Sequence, residues 1–181
     1  MQRVQEPETQ LGIVATLKAL QQAVVSADLD SLTEPKVVYI GHNIKGSVLR
    51  LPLGQESDGF RRFFVHLLAL YQEPAKFLNI FEEPENAIYP GALSLLADEF
   101  KAAPGANRGQ VILTTHSPGL LDCLDVSSIR VVEMHDGETR IGPVAADQQK
   151  VVRDRLLTTG ELLTVDTAHL DEPQLAEAAQ R

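Results

Sequence analysis

The amino-acid sequence predicts an α/β fold: a largely parallel sheet with flanking helices, plus a β-hairpin near the N-terminal third. Two patterns predict it. Short apolar runs at residues 77–81, 111–113 and 129–134 are separated by stretches of helical periodicity, as expected for buried strands joined by crossover helices. Val37–Ile40 and Ser47–Leu51 are β-rich runs joined by a polar loop with Gly41, Asn43 and Gly46, which reads as a hairpin. With 44% hydrophobic residues the chain can bury a core, and with 5% aromatics and no Trp that core is aliphatic.

Each element is justified by local pattern. Leu11, Val14, Leu17, Leu20, Val24 and Val25 recur at helical spacing, which predicts a helix over roughly residues 9–27, ending before the turn-forming stretch Asp28 to Pro35. After the hairpin, Phe60, Phe63, Phe64, Leu67, Leu68 and Tyr71 form one helical stripe, with Arg61, Arg62 and His66 off it, and Ser57 or Asp58 can cap the start. Phe77–Phe81 reads as a buried strand. Residues 91–102 read as a helix with Leu93, Leu96, Ala97 and Phe100 inward, and Val111–Leu113 as a second buried strand. A third strand, Ile129–Met134, turns at His135-Asp136-Gly137-Glu138 into Thr139–Ile141, and residues 146–157 return to helical spacing through Val151, Val152, Leu156 and Leu157. The expected organisation is a tail at 1–8, one domain over 9–165 and an acidic tail at 166–181.

Composition removes several classes of function. Twenty-five acidic against 16 basic side chains leave a net charge of −9, which argues against a chain-wide grip on nucleic acid phosphates. One cysteine, Cys123, excludes an internal disulfide framework and a multi-cysteine zinc site and reads as a small core residue. No apolar run approaches the roughly 18–20 residues of a membrane span, so the expectation is a cytoplasmic protein.

Three constellations carry chemistry. Phe77 to Pro90 is an apolar strand ending in Glu82-Glu83, then Pro-Glu-Asn. Ligands of open α/β sheets bind beyond the carboxyl ends of strands, so Glu82 could hold Mg²⁺ while Glu83, on the opposite side of an extended chain, faces an attacking water; the same run also fits a solvated acidic turn. Val111 to Pro118 is a strand ending in Thr-Thr-His-Ser-Pro. His116 there could bond a phosphate oxygen or a water, or simply lie in a loop where Ser117 or Thr115 caps the next segment. Glu56-Ser57-Asp58-Gly59 opens a helix whose unpaired N–H groups suit an anion, with Gly59 allowing close approach, or a plain N-cap.

In this order the motifs resemble the C-terminal half of an AAA ATPase domain of the RecF/SMC/ABC type, particularly the RecF-like and OLD-like branch. A late Thr159-Gly160-Glu161-Leu162-Leu163 is similar to a Gly-Glu-Leu near the end of such domains. The resemblance implies a P-loop NTPase-like fold and ATP hydrolysis to ADP and phosphate with Mg²⁺. It implies Glu82 as the Walker B acid for the metal, Glu83 as general base, Glu85 and Asn86 as the D-loop, and His116 as the switch histidine. Ser57 and Gly59 match the signature that touches the γ-phosphate of ATP held by another subunit. Two positions depart from the pattern: Glu56 stands where the signature usually has Leu, and Tyr89 where a His commonly precedes the Pro.

The larger departure is that G-x-x-x-x-G-K-[ST], the phosphate-cradling loop, does not occur. In the nearest look-alike, Gly41 to Ser47, Lys45 precedes Gly46 and the next residues are β-formers, so no helix N-terminus receives phosphate. The expectation is therefore a composite site completed by a P-loop-bearing half or a homodimeric or partner subunit, with DNA reached only through the complete assembly. Alone, the chain is expected to be inactive. Two other readings stay open: a metal-dependent nuclease or phosphatase using the Glu cluster, and a non-catalytic interaction module.

Overall fold

Helix α1 spans Pro7–Leu20, and Ile13 and Leu17 are its buried anchors while Leu11 stays exposed. The structure, a computed structural model, describes residues 7–30 and 37–171. The helix stops short of residue 27 because Val24 and Val25 belong to a strand, β1 (Val24–Asp30), which pairs antiparallel with β2 (Val37–Ile44). β-branched side chains prefer the pleated backbone, and the partner strand decides the contest. The expected hairpin is present as β2 and β3 (Ser47–Pro52), closed by Lys45-Gly46 at φ 51° and 84°, the two left-handed residues of a tight hairpin turn. Gly41, part of the P-loop look-alike, lies inside β2, where a side chain would run into the Ser26 hydroxyl.

Helix α2 (Asp58–Leu70) buries Phe60, Phe63, Phe64, Leu67 and Leu70; Leu68 and Tyr71 border the same core. β4 (Leu78–Glu82), α3 (Leu93–Ala102) and β5 (Gln110–Thr114) form a β-α-β unit. Its two strands are the parallel part of the architecture among the described residues. All four residues expected inward on α3 are buried. The strands depart from expectation: only Asn79 and Phe81 of β4 are buried, while Ile80 is 68% and its register partner Ile112 is 54% exposed. One face of this sheet packs on the core and the other is open.

A carboxylate ties these elements together. Glu99 of α3 accepts from Thr16 of α1 (2.6 Å), from the Tyr71 hydroxyl at the end of α2 (3.2 Å) and from Arg108 ahead of β5 (2.8 Å). The Arg108 guanidinium also lies 4.1 Å from the centre of the Tyr71 ring. Burial, then the Glu99 carboxylate, push the Tyr71 phenol above its ordinary range. Asn79 of β4 joins through the Arg108 carbonyl at 3.0 Å.

Residues through Thr114 make one compact unit and those from Thr115 a second. The second unit holds α4 (Pro118–Leu121), the antiparallel pair β6 (Arg130–His135) and β7 (Glu138–Pro143), α5 (Ala146–Arg153) and α6 (Glu161–Thr164). Asp136 and Gly137, at φ 51° and 83°, make the expected turn. Its core is small: Val126, Val131, Val144, Leu162 and Leu170. α5 ends at Arg153, and of the expected apolar stripe Val152 and Leu157 are partly buried against this core. Gln148 is its buried residue, donating to Asp166 and to the Thr167 carbonyl, and Leu156 is 73% exposed. Residues 166–171, read from sequence as the start of a tail, lie against this core through Leu170. Tail residues 1–6 and 172–181, and the turn residues 31–36, fall outside the described residues. No helix among the described residues is long and apolar enough to cross a membrane.

Candidate functional site

β4 delivers Glu82 as its last residue, in register with Thr114 and on the open face that carries Ile80. The chain then leaves extended geometry. Glu83 has φ 43°, a region an L-residue rarely enters, yet its N–H still donates to the Thr114 carbonyl at 3.0 Å. The expectation of two carboxylates on opposite sides of one extended strand is corrected: the ladder bond continues while the backbone turns under it. Asn86 closes the turn from both its groups, its N–H to the Glu83 carbonyl (3.1 Å) and its side-chain amide to Glu83 Oε2 (2.7 Å). Ala87 is left-handed as well, at φ 62°. Two such residues cost on the order of 1–3 kcal/mol each and persist only where the surroundings hold them.

Helix α2 supplies that hold. Pro84 is fully buried, and its carbonyl lies 3.1 Å from His66 Nε2. The His66 ring sits edge-on to Phe81 (5.3 Å) and Phe100 (6.3 Å); burial pushes its pKa below the ordinary value, against the opposing pull of the Pro84 carbonyl. A neutral imidazole with its proton on Nε2 makes this bond. Sequence reasoning missed His66, whose only signal was a position just off the apolar stripe. At the helix start, a Cβ on Gly59 would come within 2.7 Å of the Ala87 carbonyl oxygen. The glycine is thus needed for close packing of α2 on the acidic turn. Ser57 and the acidic turn are brought together in one unit by these contacts.

Ser57 is the N-cap, its hydroxyl accepting from the Phe60 N–H at 3.3 Å, and it is exposed. Asp58 in the first turn pairs with Arg61. Glu82 and Asn86 are exposed, and Glu83 and Glu85 are half-buried.

His116 belongs to the second unit and is exposed. The capping expected around it is present: the Ser117 N–H donates to Thr115 Oγ1 (3.0 Å) and the Ser117 hydroxyl accepts from the Leu120 N–H (3.3 Å). The late Gly-Glu-Leu packs on the same loop. The Gly160 N–H donates to Asp122 (2.6 Å), and a side chain on Gly160 would strike the Pro118 carbonyl. Thr158 and Glu161 satisfy each other's backbone N–H groups, a capping box whose sequence signal is the T-x-x-E spacing.

The family model described as "AAA domain, putative AbiEii toxin, Type IV TA system" matches residues 3–122. The chain belongs to this family of AAA domains. No curated protein matches it. The AAA chain is similar in fold to solved SMC heads. One, described as "Structural biochemistry of ATP-driven dimerization and DNA stimulated activation of SMC ATPases", is 17% identical at TM-score 0.55 over 82% of this chain and 90% of that one. A second, an SmcHead bound to the C-winged helix domain of ScpA, is 17% identical at TM-score 0.56 over 78% of this chain. A third, the Smc head with a coiled coil and joint derived from Pyrococcus yayanosii, gives 17% and 0.53 over 82%. The AAA chain spans 44% and 29% of the length of the latter two.

Proposed function

We propose that this chain contributes the acid, base, switch and signature groups of an ATP-hydrolysing assembly whose phosphate-cradling loop comes from another segment or subunit. The observation that carries the reading is the strained acidic turn, in which Glu83 leaves the strand at positive φ with one carboxylate oxygen held by Asn86. The chain's AAA family and the SMC-head fold point the same way. An exposed carboxylate such as Glu82 suits Mg²⁺, which takes one or two carboxylates and completes its shell with phosphate oxygens and water. Among the described residues no three His, Cys, Asp or Glu side chains gather around one point, so Glu82 would join that open mode and not a protein cage. Bound Mg²⁺ would neutralise charge developing on the phosphates.

Glu83 orients the attacking water and accepts its proton; the Asn86 amide fixes the carboxylate so that its other oxygen faces the water. Ser57 closes over the γ-phosphate of nucleotide held by another subunit, with Gly59 keeping that helix start seated, and Glu85 and Asn86 line the boundary between subunits. His116 donates to a phosphate oxygen or the water. The open face of β4 and β5 supports a further covering layer, since Ile80 and Ile112 lie on the face that ends at Glu82. Contact with DNA belongs to the complete assembly, because the −9 chain has no basic stripe.

Calorimetry with ATP and Mg²⁺ tests the composite site: the 181-residue chain is expected to bind weakly, and the chain joined by its P-loop partner tightly. Tight binding by the chain alone overturns the composite reading. In the assembly, Glu83→Gln is expected to abolish hydrolysis while keeping ATP binding, and undiminished turnover overturns the assignment of the base.

A further inference from the structure

The His of the P-loop look-alike and the Glu ahead of the signature serine meet in space. His42 Nε2 lies 2.5 Å from Glu56 Oε1, with the two side chains only 6% and 9% exposed. We propose that His42 is a positioning residue for Ser57, acting through Glu56. The proposal rests on the reading of Ser57 as a nucleotide-contacting group. Glu56 (φ −74°, ψ 160°) and Ser57 (φ −60°, ψ 154°) both have polyproline-II-like backbone angles, which turn successive side chains about a third of a turn apart and so keep the two from sharing one side. Seating Glu56 inward on His42 therefore turns Ser57 outward, where it is exposed, caps α2 through the Phe60 N–H and receives the Arg61 N–H on its carbonyl at 3.0 Å. His42 is itself fixed, since it sits in β2 between Leu49 of β3 and Val24 of β1. Without the imidazole, the buried Glu56 carboxylate has to reach water, and the segment that carries it moves.

Amide hydrogen exchange on the full chain without nucleotide tests this. His42→Leu is expected to speed exchange at the Phe60 and Arg61 amides about tenfold, with the Glu83 and Gln110 amides of the β4–β5 region unchanged. His42→Gln, which keeps an N–H donor, is expected to restore protection. The double variant His42→Leu with Glu56→Leu, which buries no charge, is expected to restore it as well. Unchanged exchange at Phe60 in His42→Leu overturns the proposal, and so does equal acceleration at Glu83 and Gln110, which marks a general loss of stability. Should His42→Leu fail to fold, a folded double variant with a protected Phe60 amide supports the pairing, and an unfolded or unprotected one overturns it. In the assembly, Ser57→Ala and His42→Leu are expected to lower hydrolysis without adding to one another. A silent Ser57→Ala would overturn the nucleotide role of Ser57 and leave the exchange result standing, so the two failures are distinct.

Discussion

The strand ends after β4 and β5 both carry candidate catalytic side chains, and they are built in opposite ways. After β4 the backbone enters the left-handed region twice, Pro84 is fully buried, and the first and middle turns of α2 press on the turn through Gly59 and His66. After β5 the loop is satisfied by bonds two and three residues long, and His116 stands exposed. Distant packing can fix a group against the strain of its own backbone, whereas a local cap only ends a segment. The contrast assigns preorganisation to Glu83 and adjustability to His116.

The largest effect that could break this contrast is catalytic. Glu83→Gln in the assembly should lower turnover by about 10²–10⁴-fold, the range for a positioned general base, and His116→Ala by only about tenfold. Equal losses in steady-state hydrolysis would remove the distinction. Next, Gly59→Ala should destabilise the first unit by about 1–3 kcal/mol in urea unfolding, because the added carbon meets a backbone oxygen that cannot swing aside. Asn86→Ala should lower kcat several-fold with the KM for ATP and the melting temperature unchanged, since its side chain is exposed and bonded to Glu83. The smallest effect concerns pH. Burial holds the His66 pKa below its ordinary value in the folded chain, so its contribution to stability is full above the ordinary value and is lost as pH falls from there through the lowered folded pKa. His66→Gln should flatten that acidic limb in denaturation curves measured across it; an unchanged limb would detach His66 from the turn.

Much of the fold was legible because short-range pattern and tertiary need agreed. The α2 stripe, the four inward residues of α3 and the turn at Asp136-Gly137 all arise from period and turn chemistry, whereas β2 runs on to Ile44 through residues read as the hairpin loop. β1 was not legible, because Val24 and Val25 continue a helical spacing and only their pairing with β2 makes them strand. The open face at Ile80 and Ile112 was hidden for a related reason: an apolar run does not say whether its second face is covered. For the site, the residue types at Glu82, Glu83 and His116 could be read, but the positive φ of Glu83 and the clamp from His66 could not. Both arise from packing between segments far apart in sequence.

Glu99 joins segments of the first unit that lie at very different distances along the chain. Its bond from Thr16 spans 83 residues, whereas its bonds from Tyr71 and Arg108 span 28 and 9. The near bonds can close while the chain is still loose. The far one requires α1 to return across the whole of β1 to α2, a closure that costs more chain entropy and comes late. A protease cut between α1 and β1 would therefore turn the Thr16 bond into a contact between two pieces of chain, while the bonds from Tyr71 and Arg108 to Glu99 stay within one.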